Sequence, residues 1–197
     1  EAAAMVRHGY ADPDLAILNK APGDLVSATD FAVERFLRDR IAAAFPADGI
    51  IGEELGGVHA GTGMAWLIDP VDGTVNFTRR LGYFCISLAL LSAGRPVAAW
   101  IFDPLQDELF HAGPDGVARL NGQPMRCSAE ADMQEAVIGL GFSARHDSGL
   151  PVEIVAAVVE TRAEFRRLGA GALCLAHVAA GRFEAYLEPH MNPWDAV

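Results

Sequence analysis

Apolar residues recur every three or four positions between Ala28 and Phe45, which is the spacing of one face of an α-helix. Ser27 and Asp30 stand at the spacing of a capping box, in which each side chain satisfies a free backbone N–H of the first turn. The pattern predicts an amphipathic helix with Asp30 in its first turn. Its apolar face consists of Val33, Phe36, Leu37, Ile41, Ala44 and Phe45.

Apolar runs bounded by Gly and Pro indicate β-strands in the middle of the chain. Gly49–Gly52 predicts a short strand or bend, and the Gly-rich stretch Gly56–Gly63 predicts a loop. A buried strand over Ala65–Ile68 would deliver Asp69 into the turn that follows. Further strands, spaced as in an antiparallel meander, are predicted over Phe84–Leu91, Val97–Phe102 and Glu108–His111.

The pattern changes in the last third of the chain, where predicted strands alternate with predicted helices. The change falls near Asn121–Pro124, so we predict an α+β half over residues 1–125 and an α/β half over residues 126–197. The fold class is therefore α/β. The predicted elements are a strand over Ala136–Leu140, helices over Pro151–Glu160 and Gly171–Ala180, and a strand over Phe183–Leu187.

The composition is that of a globular protein, with 51% hydrophobic and 21% charged residues in a chain of 197. The net charge of −11 disfavours nucleic acid as a partner, because neutralising phosphates requires a surplus of Lys and Arg. The three cysteines have no paired spacing, which fits a reducing cytoplasm. Tyr83–Ala93, the longest apolar run, is roughly half of what a membrane span requires. We expect a soluble cytoplasmic protein without a membrane partner.

Two aspartates mark the candidate chemistry, in the segment Asp69-Pro70-Val71-Asp72-Gly73. Mg²⁺ prefers hard oxygen ligands and needs only a few carboxylates beside a substrate phosphate. Pro70 stiffens the turn, and Gly73 lets the backbone approach a ligand. A helix starting at Gly73-Thr74 would offer free N–H groups to a phosphate oxygen. The same residues also form ordinary turns, so further motifs must decide between the two interpretations.

Spaced motifs along nearly the whole chain resemble the inositol monophosphatase family. They are Lys20 with Asp24–Asp30, Ile51–Glu54, the Asp69–Phe77 core, Asn121-Gly122, and Tyr186–Glu188 leading to Pro193–Asp195. The resemblance implies the layered αβαβα sandwich shared by inositol monophosphatases and fructose bisphosphatases. It also implies that the fold continues beyond Val197, so we expect a C-terminal part to be missing from this sequence.

The resemblance implies a two-metal magnesium site. The implied ligands of one ion are Glu53, Asp69 and the carbonyl of Val71. Those of the second are Asp69, Asp72 and Asp195, so that Asp69 would bridge the two ions. Two or three Mg²⁺ ions are implied, with inhibition by Li⁺ and with Ca²⁺ or Mn²⁺ as substitutes in crystals.

Catalytic and substrate roles are also implied residue by residue. Thr74, paired with Asp30, would orient a metal-activated water, with Glu53 beside that water. The backbone amides of Gly73 and Thr74 would hold the phosphate. Lys20 matches a position on a loop at the mouth of the site. Glu188 and the stretch Gly169-Ala170-Gly171 would line the alcohol part of the substrate, and Asp72 would also bind substrate.

The implied function is a Mg²⁺-dependent phosphomonoesterase that acts on a small phosphorylated alcohol, with an inositol monophosphate as the lead candidate. Histidinol phosphate, a nucleotide 3′-phosphate and a sugar bisphosphate are the alternatives within this fold. The form Gly73–Phe77 favours the inositol and histidinol types over fructose bisphosphatases. A non-catalytic binder of a metal or phosphometabolite, or a regulatory protein, is the alternative from another class. The resemblance also implies a homodimer.

Two other groups of residues are better explained without chemistry. Glu53-Glu54 alone would be a solvated acidic pair, and only the downstream motif makes Glu53 a candidate ligand. Cys174 and His177 lie one helical turn apart, but the sequence has no second such pair to complete a metal site. We therefore expect Cys174 and His177 to pack in a core.

Overall fold

The computed structural model describes residues 1–21, 24–58, 63–142 and 150–196. Its helices are α1 (Ala2–Ala11), α2 (Ala28–Ala44), α3 (Thr74–Thr78), α4 (Leu150–Thr161), α5 (Gly171–Ala179) and α6 (Pro193–Ala196). Its strands are β1 (Ile17–Ala21), β2 (Asp24–Ser27), β3 (Gly49–Gly52), β4 (Gly56–Val58), β5 (Met64–Asp72), β6 (Cys85–Ser92), β7 (Arg95–Asp103), β8 (Glu108–Ala112), β9 (Arg119–Leu120), β10 (Gln123–Pro124), β11 (Val137–Leu140), β12 (Glu164–Arg166) and β13 (Ala185–Leu187). Within these ranges, no helix combines the length and the apolar character needed to cross a bilayer.

The larger sheet has eight strands in the order β10-β9-β8-β7-β6-β5-β3-β4. From β5 to β10 each strand pairs antiparallel with its neighbour in sequence, which confirms the predicted meander and extends it by two short strands. β3 joins β5 in parallel. β1 and β2 form a separate antiparallel pair that leads directly into α2.

Helices cover both faces of the larger sheet. Ile86 of β6 packs with Val6 of α1 and Val33 of α2 in a buried cluster on one face. Its neighbour Cys85 packs with Leu173 of α5 in a second buried cluster. Since successive side chains of a strand point to opposite faces, α1 and α2 lie on one side of the sheet and α5 lies on the other. This arrangement confirms the α/β fold class.

A smaller sheet of three parallel strands, in the order β12-β11-β13, follows the larger one. Val158 of α4 packs on it beside Ile138 and Leu140 of β11. The predicted alternation of strands and helices is confirmed here, although β13 begins two residues later than predicted, at Ala185. The division of the chain into residues 1–125 and 126–197 stays a prediction.

The helix predicted from Ala28 is confirmed as α2, with Ser27 as its N-cap and the capping box formed with Asp30. The loop predicted over Gly56–Gly63 is wrong at its start, because β4 pairs antiparallel with β3 at the sheet edge. An edge strand is held largely by backbone hydrogen bonds, so glycines can form it without packing side chains. Positions 59–62 lie outside the described residues.

The strand predicted over Ala65–Ile68 is also longer than predicted. β5 continues to Asp72, so Asp69 lies inside the strand and not in a turn after it. The strand continues because an irregularity in its pairing with β6 accommodates Pro70, which cannot donate to the sheet. This irregularity shapes the candidate site.

Candidate active site

A β-bulge near the end of β5 brings two aspartates to one face of the larger sheet. Asp69 pairs with Ser87 of β6, and Asp72 pairs with Cys85. The pair Pro70-Val71 therefore occupies the place of a single residue. Residues three apart in a regular strand point to opposite faces, whereas the extra residue turns both aspartates to the same face as α5.

Asp195 of α6 joins Asp69 and Asp72 in a cluster of carboxylates. One oxygen atom from each of the three lies within 4.8 Å of the others. α6 packs against β5 and β6, where the Ser87 hydroxyl donates to the Trp194 carbonyl at 3.2 Å. The fold thus gathers three of the expected ligands from distant parts of the sequence.

Glu53 lies beside this cluster, just after β3. Its backbone N–H donates to the Ile68 carbonyl at 3.1 Å, which continues the pairing of β3 with β5 beyond Gly52. Its carboxyl group shares a hydrogen bond with Asp69. The carboxyl group expected from Gly-Glu-Glu is therefore next to the other three.

Burial, followed by repulsion between neighbours, raises the pKa values of these carboxyl groups. Burial and then Asp195 and Glu54 raise the pKa of Glu53 to about 8. Burial and then Asp195 raise the pKa of Asp72 to about 7. Burial and then Glu53 and Asp72 hold the pKa of Asp69 well above its ordinary value. A cation would offset this repulsion, and a donor set made only of oxygen atoms fits a hard divalent ion such as Mg²⁺.

The N-terminus of α5 holds the Asp72 carboxylate. The donors are the backbone N–H groups of Gly171, Ala172 and Leu173, at 3.1, 2.8 and 3.4 Å. Ala170 is the N-cap of α5 and has no side-chain acceptor, so Asp72 of β5 takes that role. The sequence analysis missed this contact. The signal that could have found it is a helix preceded only by Gly and Ala, whose first N–H groups need an acceptor from elsewhere.

Thr74 and Asp30 are in contact, as the resemblance implies. Gly73 adopts a left-handed φ of 92°, and α3 begins directly after it. The Thr74 hydroxyl lies 3.3 Å from Asp30 Oδ1 and 3.1 Å from the Val71 carbonyl, so its single proton has two acceptors. Burial raises the pKa of Asp30, while hydrogen bonds from the Ser27 hydroxyl and N–H oppose that shift. α2 and α3 thus meet at this pair.

The candidate metal-binding carboxylates described above and most of the residues expected to line the alcohol part of the substrate face one cleft of about 270 Å³. We name its two parts by their residues. The acidic corner comprises Glu53, Asp69, Asp72, Gly73, Thr74 and Asp195. The alcohol end comprises Gly141, Phe142, Arg167, Gly169, Gly171, Tyr186 and Glu188.

The alcohol end is formed where strands of the smaller sheet finish. The Tyr186 hydroxyl donates to Glu188 Oε2 at 2.5 Å, which fixes that carboxylate at the cleft wall. Gly141 runs so close to both side chains that a Cβ atom there would clash with them. The Arg167 guanidinium lies 4.2 Å from the centre of the Phe142 ring. Gly141, Phe142, Arg167 and Tyr186 line the cleft but were not among the predicted site residues. The first three belong to no family motif, whereas Tyr186 opens the Tyr186–Glu188 motif and could have been found through it.

Three expected site residues lie outside the cleft lining: Asp30, which contacts it through Thr74, and also Ala170 and Lys20. The Ala170 side chain is 1% exposed and packs in the core with Leu173, beneath the cleft. Lys20 Nζ lies 2.5 Å from Glu54 Oε2, beside the turn that carries Glu53. The residues that follow Lys20 in the expected loop, Pro22 and Gly23, lie outside the described residues. The roles given to Ala170 and Lys20 stay predictions.

Cys174 and His177 lie in the core on α5, where the structure agrees with the expected packing role. The Tyr83 hydroxyl contacts Cys174 Sγ at 3.4 Å and His177 Nδ1 at 3.2 Å. Cys174 is fully buried. His177 Nε2 lies 3.1 Å from the Arg182 guanidinium, so both ring nitrogens of His177 have polar neighbours.

A mixed sheet covered by helices on both faces, with carboxylates gathered at a strand bulge, defines an α/β protein with a candidate metal site. The model of the inositol monophosphatase family matches residues 1–197. The chain belongs to this family.

Proteins with two different names are similar to the chain. A protein named Nus factor SuhB from Salmonella typhimurium is 36% identical over an alignment of 200 positions that covers 99% of this chain and 74% of the relative. An inositol-1-monophosphatase from Rhizobium meliloti is 39% identical over an alignment of 186 positions that covers 92% of this chain and 70% of the relative. The crystal structure of extragenic suppressor protein suhB from Bartonella henselae matches with a TM-score of 0.95 at 31% identity, covering 99% of this chain and 76% of that one.

Proposed function

We propose that the protein is a Mg²⁺-dependent phosphomonoesterase that hydrolyses a small phosphorylated polyol, with an inositol monophosphate as the lead substrate. The cluster formed by the buried Asp69 and Asp72 and the half-buried Asp195 carries this proposal. Buried carboxylates that repel one another are costly unless a cation or a proton offsets their charge. Membership of the inositol monophosphatase family supports a phosphatase as the protein that uses such a site.

The acidic corner would hold the metal. Glu53, Asp69 and the Val71 carbonyl are the proposed ligands of one Mg²⁺, and Asp69, Asp72 and Asp195 are those of a second. When bound, Mg²⁺ supplies positive charge for the phosphoryl oxygens and makes a nearby water more acidic. The N–H groups that α5 donates to Asp72 would keep this carboxylate charged and oriented.

The pair Thr74 and Asp30 would orient the attacking water. Asp30 is buried and cannot reach the cleft directly, but it accepts a hydrogen bond from the Thr74 hydroxyl. Because the Thr74 hydroxyl donates its hydrogen bond to Asp30, the lone pairs of its oxygen can accept a hydrogen bond from the water. The backbone amides of Gly73 and Thr74 would hold the phosphate in line with that water.

The alcohol end would bind the alcohol that leaves when the phosphate ester is hydrolysed. Glu188 is an acceptor for sugar or polyol hydroxyls, and its bond from Tyr186 limits the positions it can take. Gly169 and Gly171 leave room for a ring close to the backbone. This combination favours a compact substrate rich in hydroxyl groups.

Histidinol phosphate, a nucleotide 3′-phosphate and a sugar bisphosphate are alternative substrates of the same site. Arg167 places a positive charge at the alcohol end, which favours a second anionic group over the cationic amine of histidinol phosphate. A regulatory role through a macromolecular partner is a second candidate, because relatives of comparable identity carry the name Nus factor. A homodimer and a cytoplasmic location are part of the proposal.

Phosphate release from a panel of esters tests the proposed function. The panel contains an inositol monophosphate, a sugar bisphosphate, a nucleotide 3′-phosphate and histidinol phosphate, each with Mg²⁺ and with a chelator. We expect Mg²⁺-dependent release, fastest with the inositol ester and inhibited by Li⁺. Tight Mg²⁺ binding by calorimetry with no release from any ester would instead favour a binding or regulatory protein.

A further inference from the structure

Glu34 of α2 is a fully buried carboxylate with no assigned role in the site. It is 0% exposed. Its Oε2 accepts from the backbone N–H of Glu54 at 2.7 Å, and its Oε1 accepts from that of Leu55 at 3.1 Å. These two N–H groups directly follow Glu53. A buried carboxylate is therefore bonded to the backbone of the turn that carries a candidate metal ligand.

Arg38, one helical turn after Glu34, binds both the carboxylate and the turn. Its Nε donates to Glu34 Oε1 at 2.7 Å, and its guanidinium also donates to the Gly56 carbonyl. The turn is thus held through N–H groups at Glu54 and Leu55 and through a carbonyl at Gly56. Because all three contacts are with the backbone, they set the path of the chain whatever the side chains in the turn.

Gly52 shows how closely Glu34 approaches the chain before the turn. A Cβ atom at Gly52 would clash with both carboxylate oxygens of Glu34. On the far side, Lys20 pairs with the Glu54 carboxylate at 2.5 Å. Glu53 is therefore flanked by residues fixed to α2 and β1, while its own side chain turns to Asp69.

We propose that Glu34 is a positioning residue whose contacts with the 54–55 backbone aim Glu53 at the acidic corner and so set the affinity of the site for Mg²⁺. Glu34 itself is neither a residue of the cleft lining nor a member of the carboxylate cluster. The inference rests on the proposed function for the meaning of the metal. The contact of Glu34 with the turn can be measured without that function.

Hydrogen exchange in the metal-free protein directly tests the contact of Glu34 with the 54–55 backbone. In Glu34→Gln one acceptor oxygen becomes an amide donor, so at least one of the Glu54 and Leu55 N–H groups loses its partner. We expect faster exchange at these two amides than in the wild type. Calorimetry on the same variant should give a Kd for Mg²⁺ raised about tenfold. This is the lower end of the loss in metal affinity when a residue that supports a metal ligand is mutated.

Matched variants on α2 separate positioning from general loss of stability. Arg38→Met removes the guanidinium and should also speed exchange at Leu55 and weaken Mg²⁺ binding, whereas Arg35→Met makes the same change at an exposed site and should do neither. Ile41→Val thins the core around Ile50 and Trp66, so it should lower the melting temperature and leave the Kd for Mg²⁺ unchanged.

Unchanged exchange and an unchanged Kd in Glu34→Gln would overturn the inference. If Glu34→Gln does not fold, Arg38→Met decides in the same way. A wild type that binds Mg²⁺ but hydrolyses no ester would defeat the proposed function alone, because exchange and calorimetry need no turnover. If the wild type is active and Glu34→Gln has the same amide exchange and the same Kd for Mg²⁺, only the positioning role of Glu34 is ruled out.

Discussion

The acidic corner and the alcohol end face the same cleft but are held in place by different means. The corner lies within the larger sheet, where a strand bulge and the starts of α3 and α5 fix its residues from several sides. The alcohol end lies at the ends of strands of the smaller sheet, where Glu188 accepts a hydrogen bond from the Tyr186 hydroxyl. We infer that substitutions in the corner chiefly lower turnover, whereas those at the alcohol end change which substrate is bound.

The largest effect is expected for Asp69→Asn. The amide cannot replace a carboxylate that is proposed to bind both ions, so turnover should fall by more than roughly 100-fold, the upper end of the cost of removing a residue that hydrogen-bonds a metal ligand. The metal-free variant should melt no lower than the wild type, because one of several repelling groups is gone. Steady-state rates and thermal unfolding measure the two outcomes.

Asp103→Asn is the matched control for that change. Asp103 is 3% exposed and accepts from the N–H groups of Leu105 and Gln106, away from the cleft. Because Asn keeps an acceptor oxygen, this variant should retain its turnover. Normal turnover in Asp69→Asn would contradict the role given to the acidic corner.

A smaller loss is expected for Thr74→Ala. Removing the hydroxyl leaves Asp30 without its link to the cleft and should lower kcat about 100-fold, at the low end for proton-transfer groups. Thr74→Ser keeps the hydroxyl and should recover most of the rate. Thr78→Ala on the same helix removes a hydroxyl that donates to the Val75 carbonyl outside the cleft lining, so its kcat should match the wild type. Equal losses in the two alanine variants would rule out the proposed link.

Substitutions at the alcohol end should raise KM more than they change kcat. Glu188→Gln weakens the acceptor for substrate hydroxyls and should raise KM about tenfold, while kcat changes little. Tyr186→Phe removes one hydrogen bond to Glu188 and keeps the carboxylate, so its KM should rise less. Initial rates over a range of inositol monophosphate concentrations separate the two constants. A loss confined to kcat would place Glu188 with the acidic corner instead.

The smallest effect concerns α5, which serves both parts of the cleft. Burial, followed by Arg182, lowers the pKa of His177, so the unfolded chain takes up the proton first as the pH falls. The stabilising effect of neutral His177 is complete above about pH 6.5 and is lost as the pH falls through the folded-state pKa. Between pH 7 and pH 5.5 the melting temperature of the wild type should drop about 2 °C further than that of His177→Gln.

His8→Gln is the control for the pH experiment, because His8 is an exposed histidine on α1. The carboxyl groups of the acidic corner titrate in all three proteins, so their contribution cancels in the comparison. Parallel curves for the wild type and His177→Gln would show that the burial of His177 does not couple to stability.

The acidic corner was largely predictable from the sequence, because its residues belong to long motifs. Asp69 and Asp72 stand in one segment, and Ser27 with Asp30 carries a helix signal of its own. The family resemblance added Glu53 and Asp195, which no local pattern could have brought together. The contact between Asp72 and α5 was not predictable, because it depends on which helix packs beside the strand bulge.

The alcohol end was much less predictable. Gly141, Phe142 and Arg167 enter the cleft from two separate segments of the smaller sheet, and neither segment carries a motif. The edge strand β4 was missed because glycines usually indicate loops, although backbone pairing alone suffices at an edge. Residues chosen by tertiary packing, and not by local periodicity, escaped prediction in both cases.

The bulge at Pro70-Val71 limits how this segment can change in evolution or design. Its extra residue lets Val71 enter the core between α1 and α2 while both neighbouring aspartates face α5. Deleting Val71 would keep the aspartates on one face but put Pro70 in its place in the core, and inserting a further residue would enlarge the bulge or shift the strand register beyond it. Substitution is therefore open to this segment, whereas a change of length is not.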